Sequence, residues 1–348
     1  MKYQLNKLFY CNLTQDGLLL APPNKGYINV SEGIDEYIEF LETFSEIKSI
    51  EEAYDKLNQS FYITQVQFDE LLNFSLENNI IKPAEEIKGI ELEDFHRDKY
   101  SRQINTFDAL PNITGEQSLR MQKKLIDSKI AVVGVGGIGS YLSLALTMMG
   151  VEELILVDKD VIELSNTSRQ ALYDEHDIGK MKIEVAKEKL KRHNSKLKVH
   201  TYNRFITELK DLDFLHEHQD IDFLVLCADQ PRNKIQDLVD TVTSELNIPW
   251  LLCGPFDQTK IILGPMVIPG ETKNYREMLP PSEFISDERI ERINSNISSA
   301  IIDPFNGLAA KMASVEVLKY LTGYAEVATK NKALIIDTDD WHVEVNKL

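Results

Sequence analysis

A glycine-rich segment in the middle of the chain has the residue types and spacing needed to bind a phosphate. Gly134-Val-Gly136-Gly137-Ile-Gly139 follows an apolar run and precedes a predicted helix. Glycines at this spacing let backbone N–H groups approach a phosphate closely at a helix N-terminus. The segment predicts a nucleotide-binding loop. A glycine-rich turn without a ligand has the same pattern, and the loop alone does not distinguish NAD from ATP.

A carboxylate follows this loop at the distance expected for ribose recognition. Asp158 ends the next predicted strand, 19 residues after Gly139. At that place a carboxylate can accept hydrogen bonds from ribose hydroxyls. Asp160 lies two residues further on, and we include it among the predicted nucleotide-binding residues.

Polar and basic side chains gather just past this carboxylate, at Asn166, Arg169, Gln170 and Lys182. A nicotinamide pyrophosphate is held mostly by backbone groups. Arg and Lys suit a triphosphate that is attacked at its α-phosphorus, because negative charge spreads during the transfer. Each cation also has a simpler interpretation, Arg169 as a solvated loop residue and Lys182 as the first turn of a surface helix. Together they favour ATP.

A second carboxylate, Asp229, ends the predicted strand 222–229. Ligands of open α/β sheets lie at the carboxyl ends of the strands. Asp229 is therefore predicted to hold Mg²⁺ that bridges the ATP phosphates. It could also cap a helix that begins at Pro231, and the two roles are compatible. Cys227 is interpreted as a core residue.

The elements that must position these residues alternate between apolar strands and amphipathic helices from Lys129 onward. This alternation predicts an α/β fold with a doubly wound, mostly parallel, Rossmann-like sheet. The predicted strands are 130–134, 154–158, 197–202, 222–229 and 250–253, followed by 260–268, 332–337 and 341–345, which are expected to be antiparallel. The predicted helices are 138–149, 182–193, 233–246 and 312–321.

The N-terminal part of the chain is predicted to be a small winged-helix domain over residues 1–83. Short strands are followed by three helical patterns, and Ser49-Ile-Glu-Glu52 and Thr64-Gln-Val-Gln67 are capping boxes that open two of the helices. Residues 84–97 are predicted to be a linker and residues 98–348 the nucleotide-binding domain. Residues 271–300 are interpreted as a mobile crossover loop over the site, with a disordered insertion as the alternative.

The composition excludes several classes of protein. The chain has 348 residues with 38 Lys+Arg against 56 Asp+Glu, and its net charge of −18 argues against non-specific nucleic-acid or anionic-membrane binding. Three scattered cysteines exclude a disulfide framework and a CxxC zinc site, and they fit a reduced, cytoplasmic setting. No signal-peptide pattern is visible. The uncharged run 130–151 could span a bilayer, but its five glycines favour a strand, a loop and a buried helix.

These motifs, with Tyr100-Ser-Arg-Gln103 before them and the segment 177–190 after them, resemble the ubiquitin-activating-enzyme-like superfamily. The resemblance is to the ThiF, MoeB and HesA group of sulfur-carrier adenylyltransferases, and it covers roughly residues 98–325. The layout of the whole chain is similar to that of the microcin C peptide-adenylating enzymes. A similar layout occurs in enzymes that cyclise glutamates in pantocin-type peptides.

The resemblance implies roles for the candidate residues. The loop at Gly136 would cradle ATP and Asp158 would bind the ribose. Asn166, Arg169 and Lys182 would hold the phosphates and stabilise the transition state. Asp229 would coordinate Mg²⁺. A substrate carboxylate would attack the α-phosphorus, which gives an acyl-adenylate and pyrophosphate.

The resemblance also implies a homodimer, because Arg102 would reach the ATP of the other subunit.

Two departures from the family pattern matter. Asn274 and Glu277 occupy the places of the first CxxC zinc pair, and the C-terminus has no cysteine, so no zinc site is expected. Cys253 is interpreted as structural, which leaves no counterpart of the cysteine that accepts activated protein in conjugation enzymes. Asn306 is a weaker candidate for contacting the substrate carboxylate.

The leading hypothesis is ATP-dependent adenylation of a carboxylate on a ribosomally made precursor peptide, in the biosynthesis of a peptide antibiotic. The N-terminal domain would bind the peptide by strand addition. Activation of a glutamate side chain that leads to cyclisation is preferred to nucleotidyl transfer to a peptide C-terminus. The alternatives are activation of a sulfur-carrier or ubiquitin-like protein that ends in Gly-Gly, a nicotinamide dehydrogenase, and a non-catalytic binding module.

Overall fold

The computed structural model describes residues 1–23, 25–84, 89–111, 113–218, 220–232, 234–254, 259–280, 289 and 301–348. These residues form two compact units, Met1–Lys123 and Lys124–Leu348. Among the described residues, no helix combines the length and the apolar character needed to cross a membrane.

The N-terminal unit contains two small antiparallel sheets and three longer helices, followed by two short helices and the start of a third. Its strands are β1 (Lys2–Leu5), β2 (Tyr10–Thr14), β3 (Gly17–Ala21), β4 (Ile28–Val30), β5 (Lys48–Ser49) and β6 (Ile81–Ala84). Its helices are α1 (Ile34–Thr43), α2 (Ile50–Ser60), α3 (Gln65–Glu77), α4 (Asp94–Lys99), α5 (Ser101–Asp108) and α6 (Gly115–Asp127), the last of which crosses the boundary between the units. The sheet orders are β5-β1-β6 and β2-β3-β4.

Local sequence signals account for the helices of this unit. The side chains of Ser49 and Thr64 each accept a hydrogen bond from the backbone three residues later, and the reciprocal bonds from Glu52 and Gln67 complete both predicted capping boxes. The helices bury Phe40, Leu57 and Phe68 in one apolar cluster with β3. In α1 the aromatic residue Phe40 is fully buried, whereas Ile38 is partly exposed.

A buried polar network holds the C-terminal end of α5. Lys82 on β6 donates to the carbonyl oxygen of Asp108 and lies 2.9 Å from its carboxylate, and both side chains are at most 2 % exposed. Asn6 and Asn79 donate to the carbonyl of Ala109 at 3.1 and 3.0 Å. The last carbonyls of a helix have no partner within the helix, so these side chains satisfy them. The network therefore ties α5, which carries Arg102, to the strands of the same unit.

The C-terminal unit contains one eight-stranded sheet of order β14-β13-β12-β11-β10-β7-β8-β9. Its strands are β7 (Lys129–Val133), β8 (Glu153–Val157), β9 (Lys198–Tyr202), β10 (Phe223–Leu226), β11 (Trp250–Cys253), β12 (Lys260–Val267), β13 (Lys332–Asp337) and β14 (His342–Lys347). Its helices are α7 (Gly137–Met149), α8 (Lys182–His193), α9 (Phe214–Glu217), α10 (Ile235–Glu245), α11 (Tyr275–Met278) and α12 (Asp303–Thr322).

The sheet confirms the predicted mixed α/β class. Strands β7 to β11 run parallel to one another. The pairs β11–β12, β12–β13 and β13–β14 are antiparallel, as expected. The parallel strands are almost continuously apolar because both of their faces are buried. After β7 the chain adds β8 and then β9 on one side of β7. It then crosses to the other side of β7 and adds β10, so the direction in which strands are added reverses between β7 and β10.

Three predicted boundaries differ from the structure. The strand predicted to end at Asp229 ends at Leu226, and the helix that follows begins at Ile235. The helix predicted over 312–321 begins at Asp303, because Pro304 is tolerated in a first turn. Gly307 lies inside this helix and faces the ring of Tyr141.

The crossover loop predicted over 271–300 is only partly described. Its first ten residues include the short helix α11, in which Met278 is buried, whereas 281–288 and 290–300 lie outside the described residues. Within the predicted linker 84–97, residues 85–88 also lie outside the described part, and α4 begins at Asp94.

The α5 network supports a stability prediction with an internal control. Burial lowers the pKa of Lys82, and the Asp108 carboxylate beside it offsets this only in part. Lys82→Met leaves a buried carboxylate without its close partner, so we expect a loss of about 3–5 kcal/mol in the free energy of unfolding. Lys7 contacts the other Asp108 oxygen at 3.2 Å but is half exposed. Lys7→Met should cost less than about 1 kcal/mol. Urea denaturation of both variants tests this, and equal losses would contradict it.

Candidate nucleotide-binding site

The candidate site lies at the carboxyl edge of the parallel strands, where the strand order reverses. Because β7, β8 and β10 run parallel, the segments that follow them emerge at the same edge. Gly134 follows β7, Asp158 follows β8 and Asp229 lies three residues beyond β10. The topology thus places three residues predicted from the sequence at the same edge of the sheet.

Close backbone contacts explain the glycines of the loop. Gly134 has φ 91°, and a Cβ on it would come within 2.9 Å of the Ala228 backbone nitrogen. A Cβ on Gly139 would overlap the carbonyl oxygen of Gly134. A Cβ on Gly137 would lie 2.7 Å from the amide of Asn306. These three glycines are needed by the protein's own packing.

Gly136 differs from the other glycines of the loop because it faces open space. The nearest atom to a Cβ there is Nε2 of Gln170, at 3.9 Å. Gln170 is 6 % exposed, and its Oε1 has no hydrogen-bond partner among the described residues. The unpaired amide oxygen can accept a hydrogen bond from a ribose hydroxyl, and the backbone N–H groups of the helix N-terminus beside the open glycine suit a phosphate. The residues present therefore fit a bound nucleotide.

The Asp158 carboxylate is held by the backbone of the loop and of its own turn. Oδ2 accepts a hydrogen bond from Val135 N at 2.8 Å, and Oδ1 accepts one from Asp160 N at 2.8 Å. Burial raises the pKa of Asp158, and the positive charge of Lys182 and these backbone bonds oppose that shift. Each oxygen keeps a lone pair, so the carboxylate can still accept bonds from ribose hydroxyls.

Lys182 is paired with a carboxylate rather than left as an isolated cation. Its Nζ lies 2.9 Å from Asp160 Oδ2, and its side chain is 7 % exposed, whereas that of Asp160 is half exposed. The backbone of Lys182 also donates to the carbonyl of Asp160 at 3.0 Å. The structure thus joins Asp158, Asp160 and Lys182 into one charged cluster at the end of β8.

Arg169 and Asn166 lie in the turn that follows this cluster. The guanidinium of Arg169 donates to the Ser165 carbonyl. Asn166 is buried, and its Oδ1 accepts from Glu163 N at 3.1 Å, so this side chain caps a short 3₁₀ helix, Leu164–Asn166. Asn306 on α12 donates to the carbonyl of Arg169 at 3.3 Å. The first turn of α12 therefore fixes the backbone that presents the arginine.

Two predicted residues stand apart from this cluster. Asp229 is exposed and makes no hydrogen bond or ion pair within the part of the chain that the structure describes. Its alternative role as the cap of the following helix is wrong, because α10 begins six residues later with Lys234 at its N-cap. Arg102 belongs to the N-terminal unit, where it is exposed in the first turn of α5.

Sequence reasoning missed Tyr173, which locks the loop in place. Its hydroxyl donates to the carbonyl of Val135 at 2.8 Å, and burial raises its pKa well above the usual value. Tyr141 was also missed. Its hydroxyl donates to Asp303, and burial followed by this carboxylate raises its pKa to about 12. No local spacing identifies either tyrosine, because both contacts join distant parts of the chain.

The residues found where the sequence departs from the family pattern have structural roles in this chain. Asn274 accepts from Glu277 N at 2.8 Å, and Glu277 accepts from Asn274 N at 2.9 Å, so these two residues form a capping box on α11. Cys253 is buried, and a hydrogen bond between its thiol and that of Cys227, together with burial, raises the pKa of Cys227. Cys227 is therefore a packing group rather than a ready nucleophile.

Solved structures similar to this chain extend over its whole length. Escherichia coli MccB, crystallised with ATP, matches with a TM-score of 0.81 and 28 % identity, covering 100 % of this chain and 97 % of that one. The same protein crystallised with AMPCPP and selenomethionine MccA matches with a TM-score of 0.80. PaaA, at 22 % identity and a TM-score of 0.73, shares the fold.

Curated relatives match a shorter part of the chain. The adenylyltransferase and sulfurtransferase UBA4 of Lodderomyces elongisporus is 28 % identical over 245 residues, which cover 67 % of this chain and 47 % of that protein. The molybdopterin-synthase adenylyltransferase of Escherichia coli is 26 % identical over 245 residues, which cover 69 % of this chain and 88 % of that protein. The chain spans about half the length of UBA4.

The ThiF family pattern matches residues 100–347, which include the glycine loop, the charged cluster and the segment after β10. This range is well over half of the chain, and its resemblance to the same family was expected from the motifs. The chain belongs to the ThiF family.

Proposed function

We propose that this protein is an ATP-dependent adenylyltransferase that activates a carboxylate of a ribosomally made precursor peptide. One observation carries the choice of a peptide over a carrier protein. The curated carrier-activating relatives align with about two thirds of this chain, whereas MccB, which has been crystallised with MccA, aligns with all of it. The family pattern begins at residue 100, so it leaves out most of the N-terminal unit, which MccB shares, and we assign peptide binding to that unit.

In the proposed reaction, a peptide carboxylate oxygen attacks the α-phosphorus of ATP, and the bond to pyrophosphate breaks. The open space at Gly136, at the N-terminus of α7, would receive the phosphates, and the unsatisfied Oε1 of Gln170 would accept a hydrogen bond from a hydroxyl or amino group of the nucleotide. Asp158 would bind the ribose hydroxyls. The ammonium of Lys182 would move from Asp160 and pair with phosphate oxygens. Asp229 would hold Mg²⁺, because this cation favours one or two carboxylates plus phosphate oxygens as ligands. These groups position the reactants and neutralise charge, and no protein nucleophile is needed.

The N-terminal unit offers an unpaired strand edge for the peptide. β2 lies at the edge of its sheet, and all five of its residues are exposed. A two-residue turn joins it to β3, with Thr14 opposite Gly17, so Cys11 and Leu13 direct their backbone N–H groups away from β3. An extended peptide could therefore add as a further strand. The exposed ring of Tyr10 lies in β2 itself, and its hydroxyl is 3.0 Å from that of Tyr27.

The first test of the proposal is Lys182→Met. Loss of the ammonium removes charge compensation in the transition state, so ATP–pyrophosphate exchange stimulated by a candidate precursor peptide should fall by about 10²–10³-fold. Lys180→Met is the matched control, since Lys180 is exposed and pairs with Asp177 at 3.0 Å. It should retain nearly full exchange. Equal effects, or exchange stimulated only by a Gly-Gly protein, would contradict the proposal.

The peptide edge is tested by two substitutions of one residue. Leu13→Pro removes an outward N–H from β2, whereas Leu13→Ala keeps it and removes the exposed side chain. If the peptide adds as a strand, the proline variant should bind it at least about tenfold more weakly in fluorescence anisotropy while ATP binding is unchanged. The alanine variant should bind it almost normally. Loss in both variants alike would point to side-chain packing instead.

A mixing experiment tests the proposed homodimer in which Arg102 acts on the partner's ATP. Arg102→Ala and Lys182→Met should each be inactive alone. If Arg102 acts in trans, mixed dimers contain one site with both native residues, and about a quarter of wild-type activity should return. If each site is built from a single subunit, mixing the two variants restores nothing.

A further inference from the structure

Away from the nucleotide site, three metal-ligating side chains converge at the edge of the large sheet. Glu153 is the first residue of β8, His200 lies in β9, and His218 follows α9. One ligand atom from each lies within 4.8 Å of the others. His200 Nε2 is 3.2 Å from Glu153 Oε1, and the imidazole centroids of His200 and His218 are 4.6 Å apart.

The fold positions these ligands without help from a metal. In the parallel register Glu153 pairs with Lys198 and Ile155 with His200, so the side chains of Glu153 and His200 stand on the same face of the sheet. Tyr202, two residues beyond His200, lies on this face as well. Its hydroxyl is 2.7 Å from Nε2 of His218 and orients that ring. A hydrogen bond to a ligating histidine is the arrangement that fixes ligands at known metal centres.

We propose that Glu153, His200 and His218 form a site for a divalent transition metal of the zinc class. Two imidazoles and one carboxylate are a donor set typical of zinc with three protein ligands and one open position. All three residues are partly exposed, so water can reach the site and complete the coordination. The sequence did not suggest this site, because its ligands are 47 and 18 residues apart and lack a CxxC spacing.

Lys129 competes for the place of the metal. Its Nζ lies 3.2 Å from Glu153 Oε1, on the same oxygen that faces His200. A divalent cation would displace this ammonium, so the site binds metal reversibly rather than as a permanent structural centre. Bound metal would join β8, the edge strand β9 and the chain after α9, and so cover an edge that is otherwise open.

Calorimetric titration of the metal-free, untagged full chain with Zn²⁺ tests the site. The expected result is one equivalent bound per chain, with affinity at least about tenfold lower in His200→Asn and in His218→Asn. Lys129→Met should bind more tightly, because it removes the competing charge. His342→Asn, at the opposite edge of the sheet, is the control and should bind as the wild type does.

A spectrum of the Co²⁺-loaded wild type keeps the test independent of how the variants fold. Ligation by nitrogen and oxygen gives visible d–d bands without the near-ultraviolet band of a cobalt thiolate. Unchanged Zn²⁺ affinity in both histidine variants would overturn the proposal. So would equal loss in His342→Asn, a thiolate band, or no binding to the wild type. ATP binding is measured in parallel, and it does not depend on the outcome.

Discussion

The candidate nucleotide site depends on how tightly the backbone between β7 and α7 folds on itself. Gly139 packs directly against the carbonyl of Gly134, and Gly134 in turn lies against the backbone of Ala228 after β10. Side chains at these two positions would push the helix away from the strand ends. The contact therefore sets where the N-terminus of α7 points, and every other group of the site is arranged around that N-terminus.

The charged cluster at the end of β8 is already paired in the absence of a nucleotide. Lys182 is held by Asp160, and Asp158 is held by two backbone N–H groups. An unpaired ammonium as deeply buried as Lys182 would destabilise the folded chain. Under the proposed function, nucleotide binding exchanges one anionic partner of Lys182 for another. The half-exposed Asp160 is suited to be the group released, because water can solvate its carboxylate.

The parts of the fold that follow local rules could be predicted from the sequence. The capping boxes at Ser49 and Thr64, the apolar parallel strands and the antiparallel C-terminal strands are all present. The glycine loop and the strand that leads to Asp158 were found for the same reason. Helix α12 begins earlier than the predicted range 312–321, because Pro304 fits its first turn and the packing of Asn306 and Gly307 against α7 stabilises this start. Contacts between distant residues, such as Tyr173 to Val135, leave no local trace.

The buried polar network around the end of α5 limits how the N-terminal unit could be exchanged for another one. Lys82, Asn6 and Asn79 come from the strands and turns of the N-terminal unit, whereas the carbonyls they satisfy belong to Asp108 and Ala109. A chimera joined between β6 and α4 would graft foreign strands onto a helix end whose carbonyls then face no donor. A working graft would place its junction beyond Pro111, so that the donor side chains and the acceptor carbonyls of the network come from the same protein.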